Sequence, residues 1–171
     1  MLREPIDKLT KSIEDVATGR SFDTVIALAT AADLRRLSAG WNFDWKQESS
    51  EREVYRLIAP AVGSTIQGLI SLEQRDDHVF VNLLESHPQN VGRGKKFEGV
   101  AGNLMAFAAM LSKDAGFDGF VSFVAKTELI AHYELTLGAC RVGRSATMII
   151  DKAAADKLIQ QYFGEHHGNH S

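Results

Sequence analysis

Asn90-Val-Gly-Arg-Gly-Lys-Lys-Phe-Glu-Gly-Val-Ala-Gly-Asn103 is the stretch on which the fold turns. Glycines and basic residues give way here to an apolar pattern in which Leu104, Phe107, Ala108 and Leu111 recur at helical spacing, predicting a helix over residues 101–115. A helix N-terminus offers backbone N–H groups without intrahelical partners and a partial positive charge. Gly99 and Gly102 carry no side chains to obstruct that surface, and Arg93, Lys95 and Lys96 add positive charge beside it. The coincidence predicts a polyanion site at the helix start, suited to a diphosphate. A plainer reading stays open, in which the glycines make a tight turn and the basic side chains are simply solvated. The spacing does not match Gly-x-x-x-x-Gly-Lys-Ser/Thr, and the strand and loop before the helix have the wrong length for a dinucleotide fingerprint.

Working outward, Gly116 is placed to end that helix in a left-handed turn. Residues 120–125 read as a buried strand, 127–137 as a helix closed by Gly138, and 146–150 as a last strand. Asp151 could cap a final helix over 152–163. Upstream, residues 24–29, 54–59, 65–73 and 79–85 read as strands, with 31–37 helical between the first two. Arg75-Asp76-Asp77 is a polar turn that makes the last two strands a hairpin. Trp41, Phe43 and Trp45 alternate with polar residues, the period of a strand or extended loop. Residues 86–98 read as a long loop, and residues 1–20 give no clear pattern. The N-terminal half is thus an antiparallel meander, and the C-terminal half contains a βαβ crossover with two parallel strands.

With 171 residues the chain makes a single domain, expected over residues 1–163 with a polar, flexible tail over 164–171. The net charge of −3 argues against nucleic acid or a membrane surface as a partner. No apolar run is long enough to span a bilayer, and the start of the chain has no apolar signal core. Cys140 is the single cysteine, which fits a reducing, cytoplasmic setting; it reads as packing rather than as a nucleophile. The tail's Glu165, His166, His167 and His170 could ligate a metal, but a polar terminus is the simpler account and no metal is expected.

Lys96-Phe-Glu-Gly99-Val-Ala101, followed by a helix with Leu104, resembles the acetyl-CoA motif Gln/Arg-x-x-Gly-x-Gly/Ala of the GNAT N-acetyltransferase superfamily. Tyr133 with Gly138-Ala139, and Met148-Ile-Ile-Asp151 with the helix after it, resemble later parts of the same fold, so the resemblance covers residues 79–163. It implies an α/β (α+β) domain in which a mixed antiparallel and parallel central sheet is flanked by helices around a βαβ acyl-CoA-binding core. It implies acetyl-CoA as co-substrate, held by Leu83, Leu84, Lys96, Phe97, Glu98, Gly99, Val100, Ala101, Gly102, Asn103 and Thr127. The thioester would lie between the strands at 79–85 and 120–125, where a backbone N–H near Leu84 would polarise its carbonyl.

Acyl transfer to an amine needs a base, a stabilised oxyanion and an acid for the leaving thiolate. Glu85 is the candidate base, or else a surface carboxylate at a strand end. Tyr133 is the candidate acid, or else core packing with Leu129, Ile130 and Leu137; His87 and His132 are weaker alternatives. Trp41, Phe43 and Trp45 fall where the family builds its acceptor site, with Asp44, Glu48 and Glu51 nearby; aromatics and carboxylates suit a cationic amine, and equally a capped core with a solvated face. The expected activity is N-acyl transfer from acyl-CoA to a small-molecule or protein amine, with a homodimer left open. The alternatives are a non-catalytic acyl-CoA-binding or regulatory protein, and an interaction protein that keeps only the scaffold.

Overall fold

A computed structural model describes residues 1–8 and 12–168, with side chains as far as residue 163. The metal reading of the tail histidines lies outside the described residues, as do the side chains of the expected tail.

Residues 1–8 run without regular structure apart from a bridge at Leu2. β1 (Ile13–Asp15) and β2 (Ser21–Phe22) form a small hairpin, and β3 (Val25–Leu28) enters the main sheet. α1 (Ala31–Arg35) starts at a capping box in which Thr30 and Asp33 satisfy each other's backbone N–H. α2 (Trp45–Glu51) occupies part of the stretch expected to be extended. Asp44 accepts the Gln47 N–H and so starts the helix, while Trp45 and Glu48, one turn apart, face inward; a helix cap had produced the alternation.

β4 (Glu53–Ile58), β5 (Gly68–Gln74) and β6 (Val79–Ser86) are the antiparallel meander, although β5 begins later than the pattern predicts. The expected loop after β6 contains a 3-10 turn and a strand, β7 (Phe97–Glu98), which pairs with β1. α3 (Val100–Asp114) follows, then β8 (Val121–Val124), α4 (Ile130–Leu137), β9 (Cys140–Arg141), β10 (Thr147–Ile150) and α5 (Lys152–Gly168). Gly116 and Gly138 both have positive φ at helix ends, and Asp151 accepts the Ala154 N–H at the start of α5.

The main sheet has the order β3-β4-β5-β6-β8-β10-β9. Every pairing in it is antiparallel except β6 with β8, where Val79, Phe80 and Val81 face Val121, Ser122 and Phe123 in parallel. The β6–α3–β8 crossover is therefore the expected βαβ core. A second sheet, β2-β1-β7, stands beside the start of α3. The main core lies between the large sheet and α3, α4 and α5; a smaller cluster of Leu34, Trp45, Val54 and Leu69 lies under α1 and α2. Among the described residues no helix is long and apolar enough to cross a membrane.

Candidate functional site

Two features open a gap in the middle of the sheet. The register of β5 against β6 slips between Ser71 and Leu72, so that Asn82 is an extra residue in β6. Such a bulge twists its strand and swaps the faces of the residues beyond it. Val79, Val81 and Leu84 accordingly belong to the main core, while Leu83 packs on the small cluster. The parallel pairing of β6 and β8 ends at Val81 and Phe123, just before the bulge. Glu48 holds the bulge from below, accepting from Ser71 Oγ at 2.8 Å and Asn82 Nδ2 at 2.6 Å while Arg52 donates to its other oxygen at 2.9 Å. Leu83 N–H donates to Ser71 Oγ at 3.0 Å and is thereby occupied, and the Leu84 side chain is core.

The gap is filled by residues 1–8. Met1 N donates to Asn82 O and Leu2 N to Val124 O, both at 2.8 Å, and Lys126 N donates to Leu2 O at 2.9 Å. Both Glu4 carboxylate oxygens receive from Ser86, its N–H at 2.6 Å and its Oγ at 2.7 Å. Ile6 N donates to His132 Nε2 at 2.7 Å, so His132 is an acceptor there. Leu2 and Ile6 are buried, and removing each from water contributes about 2 kcal/mol. Asp7 accepts the Gly99 N–H at 3.0 Å and the Lys95 ammonium at 3.1 Å. Tyr162 Oη donates to Lys8 O at 2.6 Å.

Tyr133 lies against this segment, its ring edge-on to Phe123 with centroids 5.4 Å apart and its hydroxyl donating to Glu4 O at 2.5 Å. It is fully buried. Burial, and then the nearby Glu4 carboxylate, push its phenol well above the ordinary tyrosine range, so it holds its proton.

The predicted diphosphate loop divides. Lys96 N donates to Gln89 O at 2.8 Å and Phe97 N to Asn90 Oδ1 at 3.1 Å, while Phe97 and Glu98 pair with β1 and the Phe97 ring is core. Phe97 and Glu98 therefore belong to a strand, with Lys96 hydrogen-bonded just before it, and the expectation of free loop amides is corrected for Lys96 and Phe97. Gly99, at φ +94°, turns the chain from β7 into α3. Val100 and Ala101 are the buried first turn, where N–H groups lack helical acceptors. Gly102 answers a packing need instead of the phosphate approach expected of it: a Cβ there would stand 1.9 Å from Tyr162 Oη. Asn103 is buried, donating to Gly99 O at 2.9 Å and contacting Thr24 Oγ1 at 3.3 Å. Thr127 is exposed and begins the turn beyond β8.

Glu85 is on the opposite face of β6. One oxygen accepts the Asn42 N–H at 2.6 Å; the other accepts the Phe43 N–H at 3.2 Å and Trp45 Nε1–H at 2.8 Å. The expectation of a surface carboxylate at the strand end is corrected, since Glu85 is buried and holds the loop into α2. Trp45 and Phe43 pack in the small cluster. Trp41 lines a cavity of about 530 Å³ with Arg36, Gln67, His87 and Lys96. Its Nε1–H has no hydrogen-bond partner among the described residues. His87 Nδ1 accepts the Gln89 N–H, and burial holds its pKa below the ordinary value, so the ring is neutral and Nε2–H donates to Ser38 Oγ. Sequence reasoning missed Glu4, Asp7 and Asn82; for the first two the local signal is that apolar Leu2 and Ile6 are interspersed with them.

No protein-family model matches the sequence, and the comparison with curated proteins finds no match. Solved structures do resemble it. The AtaT toxin, as a Tyr-to-Phe mutant bound to the C-terminus of the antitoxin AtaR and acetyl-CoA, superposes with a TM-score of 0.54 at 17% identity, over 81% of this chain and 99% of that one. The KacTA–DNA complex gives 0.53 at 16% identity, over 81% and 99%. AtaT complexed with acetyl-methionyl-tRNAfMet gives 0.54 at 16% identity, over 80% and 99%. The fold is the GNAT fold that the motif resemblance implied. Complexes with DNA and tRNA among these structures overturn the exclusion of nucleic acid, which rested on net charge; a total charge says nothing of local patches.

Proposed function

We propose that the protein is an N-acyltransferase that moves an acetyl group from acetyl-CoA to an amine. The parting of β6 from β8 at the Asn82 bulge, with protonated Tyr133 beside the gap and the start of α3 at its mouth, carries this reading. The exposed edges of β6 and β8 bond to an extended chain, and a pantetheine arm is one, with amides of its own. Gly99, Val100 and Ala101 would meet the diphosphate, with Lys95 beside them. Tyr133 would give its proton to the departing thiolate. The acetyl donor fits this gap only in place of residues 1–8, because about 40 Å³ remains free beside them.

The amine would approach from the Glu85 side, through the cavity lined by Trp41 and His87. To act as a base Glu85 would have to release a donor, and the Phe43 N–H at 3.2 Å is the longest of the three. The AtaT complex with acetyl-methionyl-tRNA makes an aminoacyl-tRNA an acceptor to test beside small amines and protein amines. The reaction suits the cytoplasm, where acetyl-CoA and reduced Cys140 coincide. A second reading, an acyl-CoA-binding regulator without turnover, is favoured by the complete burial of Tyr133.

Release of the CoA thiol from acetyl-CoA, followed across a panel of amines and aminoacyl-tRNAs, tests the proposal. Acceptor-dependent release is expected, slowed about 100-fold by Tyr133→Phe with acetyl-CoA binding retained. Binding without release on any acceptor would favour the regulator.

A further inference from the structure

Residues 1–8 lie along the route assigned above to acetyl-CoA, and in the same order. Met1 is at the bulge, where the acyl group would sit, through its bond to Asn82 O. Leu2 is taken up by β8 as a parallel partner of Ala125. Glu4 spans the end of β6 through Ser86 and takes the Tyr133 hydroxyl on its carbonyl. Asp7 ends the run with its carboxylate on the Gly99 N–H and the Lys95 ammonium, an anion at the mouth of α3. An extended amide backbone thus stands in for the pantetheine arm, and a carboxylate stands in for the diphosphate.

We propose that residues 1–8 are an intramolecular mimic of acyl-CoA, a strap that closes the cleft and must leave before the co-substrate binds. This rests on the acyl-CoA reading of the cleft. The strap cannot share the gap with a ligand, since both need Val124 O, Lys126 N and the Gly99 N–H. Its anchors divide between a deep part and a mouth. Leu2 and the Glu4 carbonyl cover Tyr133 and the strand edges, whereas Asp7 meets only groups at the start of α3 and the loop before it. Departure from the mouth would therefore free the diphosphate amides first, letting acyl-CoA displace the rest by competition along the same hydrogen-bonding edges.

Two changes to the chain test this. Glu4→Ala with Asp7→Ala removes the two carboxylate anchors without altering the cleft's own residues. Calorimetric titration with acetyl-CoA should then give an affinity at least tenfold tighter than that of the unaltered chain. Independently, Leu2→Cys with Ala125→Cys, in a Cys140→Ser background, ties the strap to β8. Oxidised, this chain should bind no acetyl-CoA; reduced, it should bind. Hydrogen exchange at Leu2 and Ile6 reports the strap directly, and those amides should lose protection as acetyl-CoA binds the unaltered chain. Equal affinity in all forms, with Leu2 and Ile6 still protected in the complex, would overturn the strap and leave the acyl-CoA reading standing. No binding by a Glu4/Asp7 variant whose Leu2 and Ile6 amides exchange freely would overturn the acyl-CoA reading, and the mimic with it.

Discussion

Three donors converge on the Glu85 carboxylate from residues 40 or more positions away in sequence. The strand-end position suggested a base, but nothing local in the sequence announces these donors. Their geometry makes Glu85 a structural clamp as well. Truncating such a group leaves buried N–H groups unpaired, with a cost of about 1–3 kcal/mol for a neutral donor and more where a charge is lost. Glu85→Ala should lower unfolding free energy by about 3 kcal/mol, read from urea titration of tryptophan fluorescence. Glu85→Gln should cost about 1–2 kcal/mol, because one oxygen still accepts while the amide faces the Asn42 N–H donor to donor. A residue serving only as a base would leave both midpoints unmoved. Tyr133 was more legible, since its place on the apolar face of a helix follows from periodicity; its hydroxyl partner, Glu4 O, lies 129 residues away and does not.

At the scale of elements, α3 and α5 meet where Gly102 faces Tyr162. A Cβ on Gly102 would fall 1.9 Å from Oη and 2.6 Å from Cζ, so the ring would have to shift. Gly102→Ala should destabilise the fold by about 2 kcal/mol through overpacking, despite alanine's better helix propensity. Adding Tyr162→Phe should recover only part of this, because the ring carbon remains too close; thermal unfolding of the single and double variants measures the coupling. The elements with clear apolar periods, α3, α4 and the strands β4, β6 and β8, were legible close to their ends. α2 was misread because an Asp44 cap between aromatics imitates strand alternation. β7 was misread as loop because a two-residue strand has no period to detect, and its pairing with β1 joins residues far apart in sequence. The stretch expected to be a free diphosphate loop therefore carries strand residues, Phe97 and Glu98, immediately upstream of Gly99.

For the whole molecule, the docked N-terminal segment makes the state of the cleft depend on pH. Burial raises the Glu4 carboxyl above the usual carboxylate range; Ser86 hydrogen bonds oppose this, and the charges of Glu85 and Asp7 add to it. A carboxyl whose pKa is higher docked than free takes up a proton on docking. Docking is thus favoured most fully below the free pKa, and that contribution is lost as pH rises through the docked value. Tyr133 keeps its proton throughout, its phenol lying well above the ordinary range. The His132 ring, which accepts the Ile6 N–H at Nε2, faces the same segment. Asp7 with Lys95, and the Met1 ammonium with Arg3, Glu48 and Arg52 about it, are further charged groups on this path. Subtracting a Glu4→Gln chain isolates the Glu4 term, since glutamine does not titrate while His132, Asp7 and Lys95 are common to both. Relative to that variant, exchange at the Leu2 and Ile6 amides should accelerate, and acetyl-CoA affinity should increase, as pH rises above the usual carboxylate range. A ratio between the two chains that stays flat with pH would mean that the Glu4 carboxyl ionises equally well docked and free, and that Ser86 compensates its burial in full.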